Sequence, residues 1–491
     1  MSAVPRNNPL AGRVAVVTGA SSGEERHQRR QRIMAYQSVN PFTNEVVKQY
    51  RQHTDEQAQQ ALARADALFH SAWAQGDIGP RLEVLRRLGD LLAERAEDLA
   101  RIISTEMGKL IEQSRAEVRV CADIAHYYAE NAKEFLAPVP YRTQLGDAWV
   151  QPHPVGVLVA VEPWNFPLYQ LIRVMAPAMA VGNPVLVKHA CIVPQCAEAF
   201  EQLVTEAGAP TGAYTNLFIS SGQVADLIAD DRVQGVALTG SERAGSAVAA
   251  QAAKYLKKST MELGGNDVFV VLDDCDVAQA AAVATQARLF NSGQVCTSAK
   301  RYIVHEHVAE DFLAAVTERF KAVEIGDPLD ESTTLAPLAS ETARDDLAEQ
   351  VERALKNGAT LHYGNEPIEH PGNFFQPTVL TGIDRDNPAY YEEFFGPVAQ
   401  VYVVPDDDAA VALANDSHYG LGGTVFSGDT DRAKRLASRI HTGMVFINTM
   451  HESVPELPFG GIKRSGYGRE LGDLGIKEFV NQKLVVVSKD A

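Results

Sequence analysis

Four groups far apart in the chain have the chemistry to act on one carbonyl carbon. Cys296 stands in Asn291-Ser-Gly-Gln-Val-Cys-Thr-Ser-Ala-Lys-Arg301, where small neighbours leave room for a substrate. A thiol becomes a nucleophile when its thiolate is stabilised and reachable. Asn165, in Glu162-Pro-Trp-Asn-Phe-Pro167, carries an amide that can donate to a developing oxyanion beside the Cys296 backbone N–H. Glu262, in Thr260-Met-Glu-Leu-Gly-Gly-Asn-Asp267, offers a carboxylate that can take a proton from water or thiol. In Tyr391-Glu-Glu-Phe-Phe-Gly-Pro-Val398, Glu393 with Phe395 two residues on suits ribose hydroxyls and a flat ring. Taken singly each segment has an ordinary reading: a buried small cysteine, a turn, a solvated acid, a helix end.

The elements that must position these groups follow from pattern. Val155-Gly-Val-Leu-Val-Ala-Val161 reads as a buried strand that Pro163 and Pro167 end abruptly. Thr54-Asp-Glu-Gln57 has capping-box form and opens a helix with apolar positions from Ala58 to Ala72. Leu82, Leu85, Leu88, Leu92, Leu99 and Ile103 mark a second helix, and Val118, Ala122, Ala125 and Tyr128 a third. Strands are expected near 155–161, 184–188, 215–219, 235–239 and 260–263, and again near 268–272, 301–304, 399–404 and 444–447. Helical patterns lie between them. Such alternation predicts parallel sheets with right-handed crossovers in two α/β domains, the Cys296 loop facing the cleft between them.

Composition narrows the class. The chain has 491 residues, more than a single hydrophobic core accommodates, and 45% of them are hydrophobic. A net charge of -18 speaks against nucleic acid or an anionic membrane as partner. It would also repel a carboxylate substrate unless the pocket holds a local cation. The five cysteines show no metal-ligand spacing, and their scatter suits a reducing cytoplasm. No apolar run approaches a membrane span, and Val14-Ala-Val-Val17 is too short for a signal peptide.

In this order, and with Pro458-Phe-Gly-Gly-Ile-Lys-Arg-Ser-Gly-Tyr-Gly-Arg-Glu470, the segments resemble the aldehyde dehydrogenase superfamily from about Tyr36 to the C-terminus. Within it, Lys188-His-Ala190, Gly240-Ser-Glu-Arg-Ala-Gly245 and Gly293–Arg301 are most similar to bacterial succinate-semialdehyde dehydrogenases. The resemblance implies Cys296 as nucleophile, Glu262 as general base and Asn165 as oxyanion donor, with no metal. It implies a cofactor, NAD or NADP with NAD the favoured physiological partner, held by Trp164, Lys188, Cys191, Gly240, Ser241, Gly245, Leu263, Glu393 and Phe395. Leu238–Gly245 ends a strand and opens a helix whose N–H groups can face a pyrophosphate. Cys191 departs from NAD-preferring relatives, which often carry there a glutamate that repels a 2′-phosphate, so both coenzymes are expected to be accepted.

For the substrate, Arg173 matches an arginine that relatives use to hold the distal carboxylate of succinate semialdehyde. Phe290 stands where many of them have a second arginine; Arg288 lies two residues upstream. Ser453, in the loop before Pro458, is one residue out of register with a serine some relatives use. Succinate semialdehyde is the expected substrate. The alternatives are glutarate semialdehyde or another aliphatic or aromatic aldehyde, and a family member without catalysis.

The resemblance implies a dinucleotide-binding domain (34–135 and 155–262), a catalytic domain (263–470) and a small β arm (136–154 and 471–491) that pairs subunits as a homodimer or homotetramer. Residues 1–33 stand apart. Gly12–Gly23 resembles the first strand and glycine turn of short-chain dehydrogenases, but the charged run Glu24–Arg32 follows instead of a helix, and Met34 is start-like. They are expected to be an atypical, flexible extension; a second cofactor site for a short-chain reductase is the rival reading.

Overall fold

The structure is a computed structural model and describes residues 36–489; the readings of residues 1–33 lie outside the described residues. Local signals decide where helices begin. The Thr54 hydroxyl accepts from Gln57 N–H while the Gln57 side chain accepts from Thr54 N–H, and the helix Asp55–Phe69 starts there. Ala72 belongs instead to a separate turn, Ala72–Gln75, capped by Ser71. The leucine stripe from Leu82 to Ile103 spans two helices, Gly79–Glu94 and Ala96–Met107, broken at Arg95 (φ −106, ψ 19). Both helices pack on Ile111–Phe135. The stripe continues across the break because it records which residues are buried, not whether the axis bends.

A six-stranded sheet runs in the order Gly466–Tyr467, Lys258–Glu262, Val233–Thr239, Val157–Glu162, Val185–His189, Tyr214–Asn216. All neighbours are parallel except the antiparallel edge Gly466–Tyr467. Register pairs Thr239 with Glu262 and Glu162 with His189, so Glu262, Thr239, Glu162 and His189 close four adjacent strands at one end of the sheet. Ligands of open α/β sheets gather at this carboxyl end.

A second sheet has seven strands: Thr360–Tyr363, Thr378–Thr381, Val398–Val404, Arg301–His305, Val268–Val271, Gly423–Phe426 and Phe446–Ile447. Only Thr360–Tyr363 is antiparallel to its neighbour. Three of these strands, Thr360–Tyr363, Thr378–Thr381 and Gly423–Phe426, are four residues each and carry no periodicity that sets them apart from loops. Arg301–His305 begins five residues after Cys296, so the N-terminal end of this sheet carries the Cys296 loop.

A third sheet joins Val139–Tyr141, Gly146–Pro154 and Val480–Ser488, with Val480 opposite Pro154 and Ser488 opposite Gly146. Val139, Tyr141, Leu484, Val486 and Val487 are exposed on it. Among the described residues no helix is long and apolar enough to cross a membrane.

Candidate active site

The Cys296 loop is held in an uncommon backbone shape. After the helix Val277–Leu289 come three successive left-handed residues, Asn291 (φ 50), Ser292 (φ 52) and Gly293 (φ 77). The first two lack the freedom of glycine, and each such residue typically costs about 1–3 kcal/mol unless its surroundings enforce it. Here they do. Asn291 N–H donates to Gln113 Oε1 (3.0 Å), Ser292 Oγ to the Ala336 carbonyl (2.7 Å), and Ser298 Oγ to the Ala287 carbonyl (2.6 Å). Arg288, fully buried, donates to the carbonyls of Gly293 (2.8 Å) and Gly396. It is therefore a pin for the loop and does not reach toward substrate.

Lys300, also buried, donates to the carbonyls of Cys296 (2.7 Å) and Val295 (2.9 Å) and pairs with Glu393 at 3.1 Å. Its ammonium draws the nucleophile loop and the Glu393 segment together. Cys296 is half-buried. Desolvation pushes its thiol up to about 12, against the opposing pull of Lys300 and Arg173.

Asn165 sits where the strand Val157–Glu162 gives way to the helix Tyr169–Val181. No side chain at the helix start caps it; the cap comes from elsewhere. Glu117 Oε1 accepts from Leu168 N–H (2.9 Å) and Tyr169 N–H (3.2 Å), while Oε2 pairs with the buried Lys109. The Lys109 ammonium lies 3.7 Å from the Phe166 ring centroid, and Phe290 stacks on Phe166 at 6.1 Å. Phe290 is thus packed against the turn that presents Asn165. Asn165 itself donates from Nδ2 to the Gln294 carbonyl (3.0 Å), and its carbonyl accepts from Asn291 Nδ2 (2.9 Å). A carboxamide nitrogen has two N–H groups, so one remains to face an oxyanion near Cys296.

Glu262 ends its strand buried, and neither carboxyl oxygen has a hydrogen-bond partner among the described residues. Burial, and then the charge of Glu470, hold its pKa well above the usual carboxylate range; Arg173 and Arg469 pull the other way. Gly265 makes the approach possible: a Cβ there would sit 2.5 Å from the Cys296 carbonyl. Gly265 N–H donates to Glu393 Oε1 at 3.1 Å, which ties the base segment to the same carboxylate that holds Lys300.

Arg173 is not an unpaired cation: it is 2% exposed, ion-paired with Glu470, and donates to Thr239 Oγ1 at 3.1 Å. Its guanidinium lies between the rings of Tyr169 (4.9 Å) and Phe459 (4.5 Å). The reason is electrostatic, since a buried guanidinium needs a fixed counter-ion. The Tyr169 hydroxyl stands beside both Arg173 and Ser453. Ser453 lines a cavity of about 220 Å³ with Met444, Phe446, His451, Phe459 and Leu471. Sequence reasoning missed Tyr169, Glu470, Lys300 and His451. Tyr169 alone left a signal, standing one helical turn before Arg173.

The residues expected to meet a dinucleotide do fit one. The Ser241 hydroxyl caps the helix Glu242–Lys254 by accepting from Ala244 N–H, and Gly240 N–H donates to the Glu262 carbonyl (2.9 Å). The helix N-terminus so presented suits an anionic pyrophosphate. Gly245 has no side chain, and the side chain of Leu263 fills that space. Trp164 meets Phe395 edge to face at 5.8 Å. Lys188 is the penultimate residue of the strand Val185–His189; its ammonium donates to the His189 carbonyl (3.0 Å), lies 3.7 Å from Cys191 Sγ and 5.6 Å from the Tyr36 ring. A 2′-phosphate there would meet a cation and a thiol and no carboxylate at position 191.

Comparison with known proteins agrees with this geometry. The aldehyde dehydrogenase family profile matches residues 28–485. An NADP(+) succinate-semialdehyde dehydrogenase of Deinococcus radiodurans is 49% identical over 450 residues, 92% of this chain and 94% of that protein. One of Mycobacterium avium is 41% identical over 455 residues, 92% and 96% of the two chains. The crystal structure of succinic semialdehyde dehydrogenase from Streptococcus pyogenes in complex with NADP+ superposes with a TM-score of 0.91 at 49% identity, covering 93% of this chain and all of that one. With the nucleophile loop, the Asn165 turn and the Glu262 strand end assembled as above, the chain belongs to the aldehyde dehydrogenase family.

Proposed function

We propose that this aldehyde dehydrogenase oxidises succinate semialdehyde to succinate with NADP. The observation that carries the substrate is the Tyr169 hydroxyl, which stands beside both Arg173 and Ser453, with Ser453 lining the cavity described above. A guanidinium has five N–H donors, and Glu470 and Thr239 use two of them. The rest remain for a substrate carboxylate, and the Tyr169 and Ser453 hydroxyls add neutral donors. The relatives named above act on the same aldehyde by name.

The coenzyme reading corrects the expectation that NAD is favoured. The relatives are of the NADP(+) type. The physical support in this chain is Cys191 beside Lys188: no negative charge stands at that position to repel a 2′-phosphate. When bound, the nicotinamide accepts a hydride from the substrate carbon.

The chain's own residues do the remainder. Cys296 adds to the aldehyde carbon, and the Asn165 amide with the Cys296 backbone N–H holds the oxyanion. Loss of hydride leaves a thioester on Cys296. Glu262 then takes a proton from water, hydroxide attacks the thioester carbon, and the Cys296 thiolate leaves as the acid is released. The unpartnered carboxyl oxygens of Glu262 leave it free to bind that water.

The test is the ratio of kcat/KM for succinate semialdehyde over butanal. A charge-assisted contact is typically worth about 2–3 kcal/mol, so the ratio should be roughly 30- to 150-fold, and Arg173→Leu should erase most of it. A ratio near one would make the chain a general aldehyde dehydrogenase. NADP should give the higher kcat/KM of the two coenzymes, and Cys191→Glu should reverse that order.

A further inference from the structure

We infer that His451 is a further specificity-determining residue, donating a hydrogen bond from Nε2 to the carboxylate of the aldehyde substrate. The inference rests on the proposed preference for an aldehyde with a distal carboxylate. Among the side chains that line the cavity of about 220 Å³, only His451 and Ser453 can donate a hydrogen bond. Glu452 is acidic, and the others are apolar. Within the lining, these two residues are the side-chain donors a carboxylate meets, beyond the Tyr169 and Arg173 groups that adjoin Ser453; burying the anion with unmet acceptors is costly.

The ring is oriented for that role. His451 Nδ1 lies 3.2 Å from the hydroxyl of Thr297, the residue after the nucleophile, and the imidazole packs between Phe446 (5.0 Å) and Phe459 (5.5 Å). Burial, and then the positive charge of Arg173, hold its pKa down at about 4, so the imidazole is neutral under ordinary conditions. A neutral imidazole carries one proton. The proposed role takes the tautomer in which the Thr297 hydroxyl donates to Nδ1, which places that proton on Nε2, where it can be given to an anion. Phe459 also faces the Arg173 guanidinium, at 4.5 Å, so the imidazole and the guanidinium flank the same ring.

The test compares succinate semialdehyde with butanal in the wild type, His451→Phe and His451→Gln, with thiol labelling of Cys296 to count intact sites. His451→Phe should lower the ratio of kcat/KM by roughly 10- to 100-fold, mostly through KM, because carboxylate contacts are made in ground and transition states alike. His451→Gln, which keeps an N–H donor at similar reach, should retain most of the ratio. Thr297→Val should lower it and Thr297→Ser should not, since only the hydroxyl fixes the tautomer. An unchanged ratio in His451→Phe overturns the inference and leaves the substrate reading standing. A wild-type ratio near one overturns the substrate reading itself.

Discussion

Cys296 and Glu262 are both set against their own ionisation by burial, and this has a kinetic consequence at the level of single residues. The thiol is pushed up to about 12 and the carboxyl well above its usual range. The fraction of each in its working, ionised form grows as pH rises through the neutral range, so kcat should climb with pH, by up to about tenfold per unit. Cys296→Ala should abolish both coenzyme reduction and thiol labelling at that site. Glu262→Gln should keep a stoichiometric burst of reduced coenzyme and lose steady-state turnover, since hydride transfer precedes the water step. Stopped-flow absorbance distinguishes the two, and a Glu262→Gln enzyme with normal turnover would remove it from the role of base.

At the scale of elements, the Asn165 turn is held from outside its own segment. Glu117 accepts from the first N–H groups of the helix Tyr169–Val181 and neutralises Lys109, both side chains being fully buried. Burial lowers the Lys109 pKa and the pairing with Glu117 opposes it. Removing one member of a buried pair leaves an unpaired charge and typically costs about 3–5 kcal/mol. Glu117→Ala should therefore shift urea unfolding by about that much. In the surviving native fraction it should slow the burst of reduced coenzyme, because Asn165 is then free to leave the Gln294 carbonyl. A Glu117→Ala protein of wild-type stability would show that the pair is dispensable.

At the scale of the whole molecule, stability and assembly follow from buried charge and open edges. Glu162 is buried beside Thr239, and desolvation, then Glu470, raises its pKa well above the usual range. In the unfolded chain it ionises at about 4.5. Below that value the group is protonated in both states and costs nothing; as pH rises the unfolded state gains, by about 1.4 kcal/mol per pH unit until the folded value is passed. Glu162→Gln should thus be more stable than the wild type at alkaline pH, and the advantage should shrink on acidification; denaturant melts at pH 5 and pH 8.5 measure it.

The exposed Val139, Tyr141, Leu484 and Val486 give one face of the three-stranded sheet an apolar character, Val487 lies on the other face, and the edges are open. We expect it to pair subunits, so a monomeric sedimentation profile at micromolar protein would refute that assembly. Sedimentation of a chain ending before Val480 should shift toward monomer.

By itself the sequence determined the family and most of the secondary structure. The motifs around Asn165, Glu262, Cys296 and Glu393 are local strings, so they read without coordinates. The strand expected near 155–161 runs over Val157–Glu162, that near 235–239 over Val233–Thr239 and that near 301–304 over Arg301–His305, because buried parallel strands are continuous apolar runs. What only the tertiary structure decided is which charges meet. Arg173 pairs with Glu470, Lys300 with Glu393, Lys109 with Glu117, and His451 with Thr297. The first two and the last of these contacts join segments that separate strands and helices bring together, and no local pattern encodes such a partner. A buried ion must be neutralised by whatever the fold places beside it, and that is a property of packing, not of spacing along the chain.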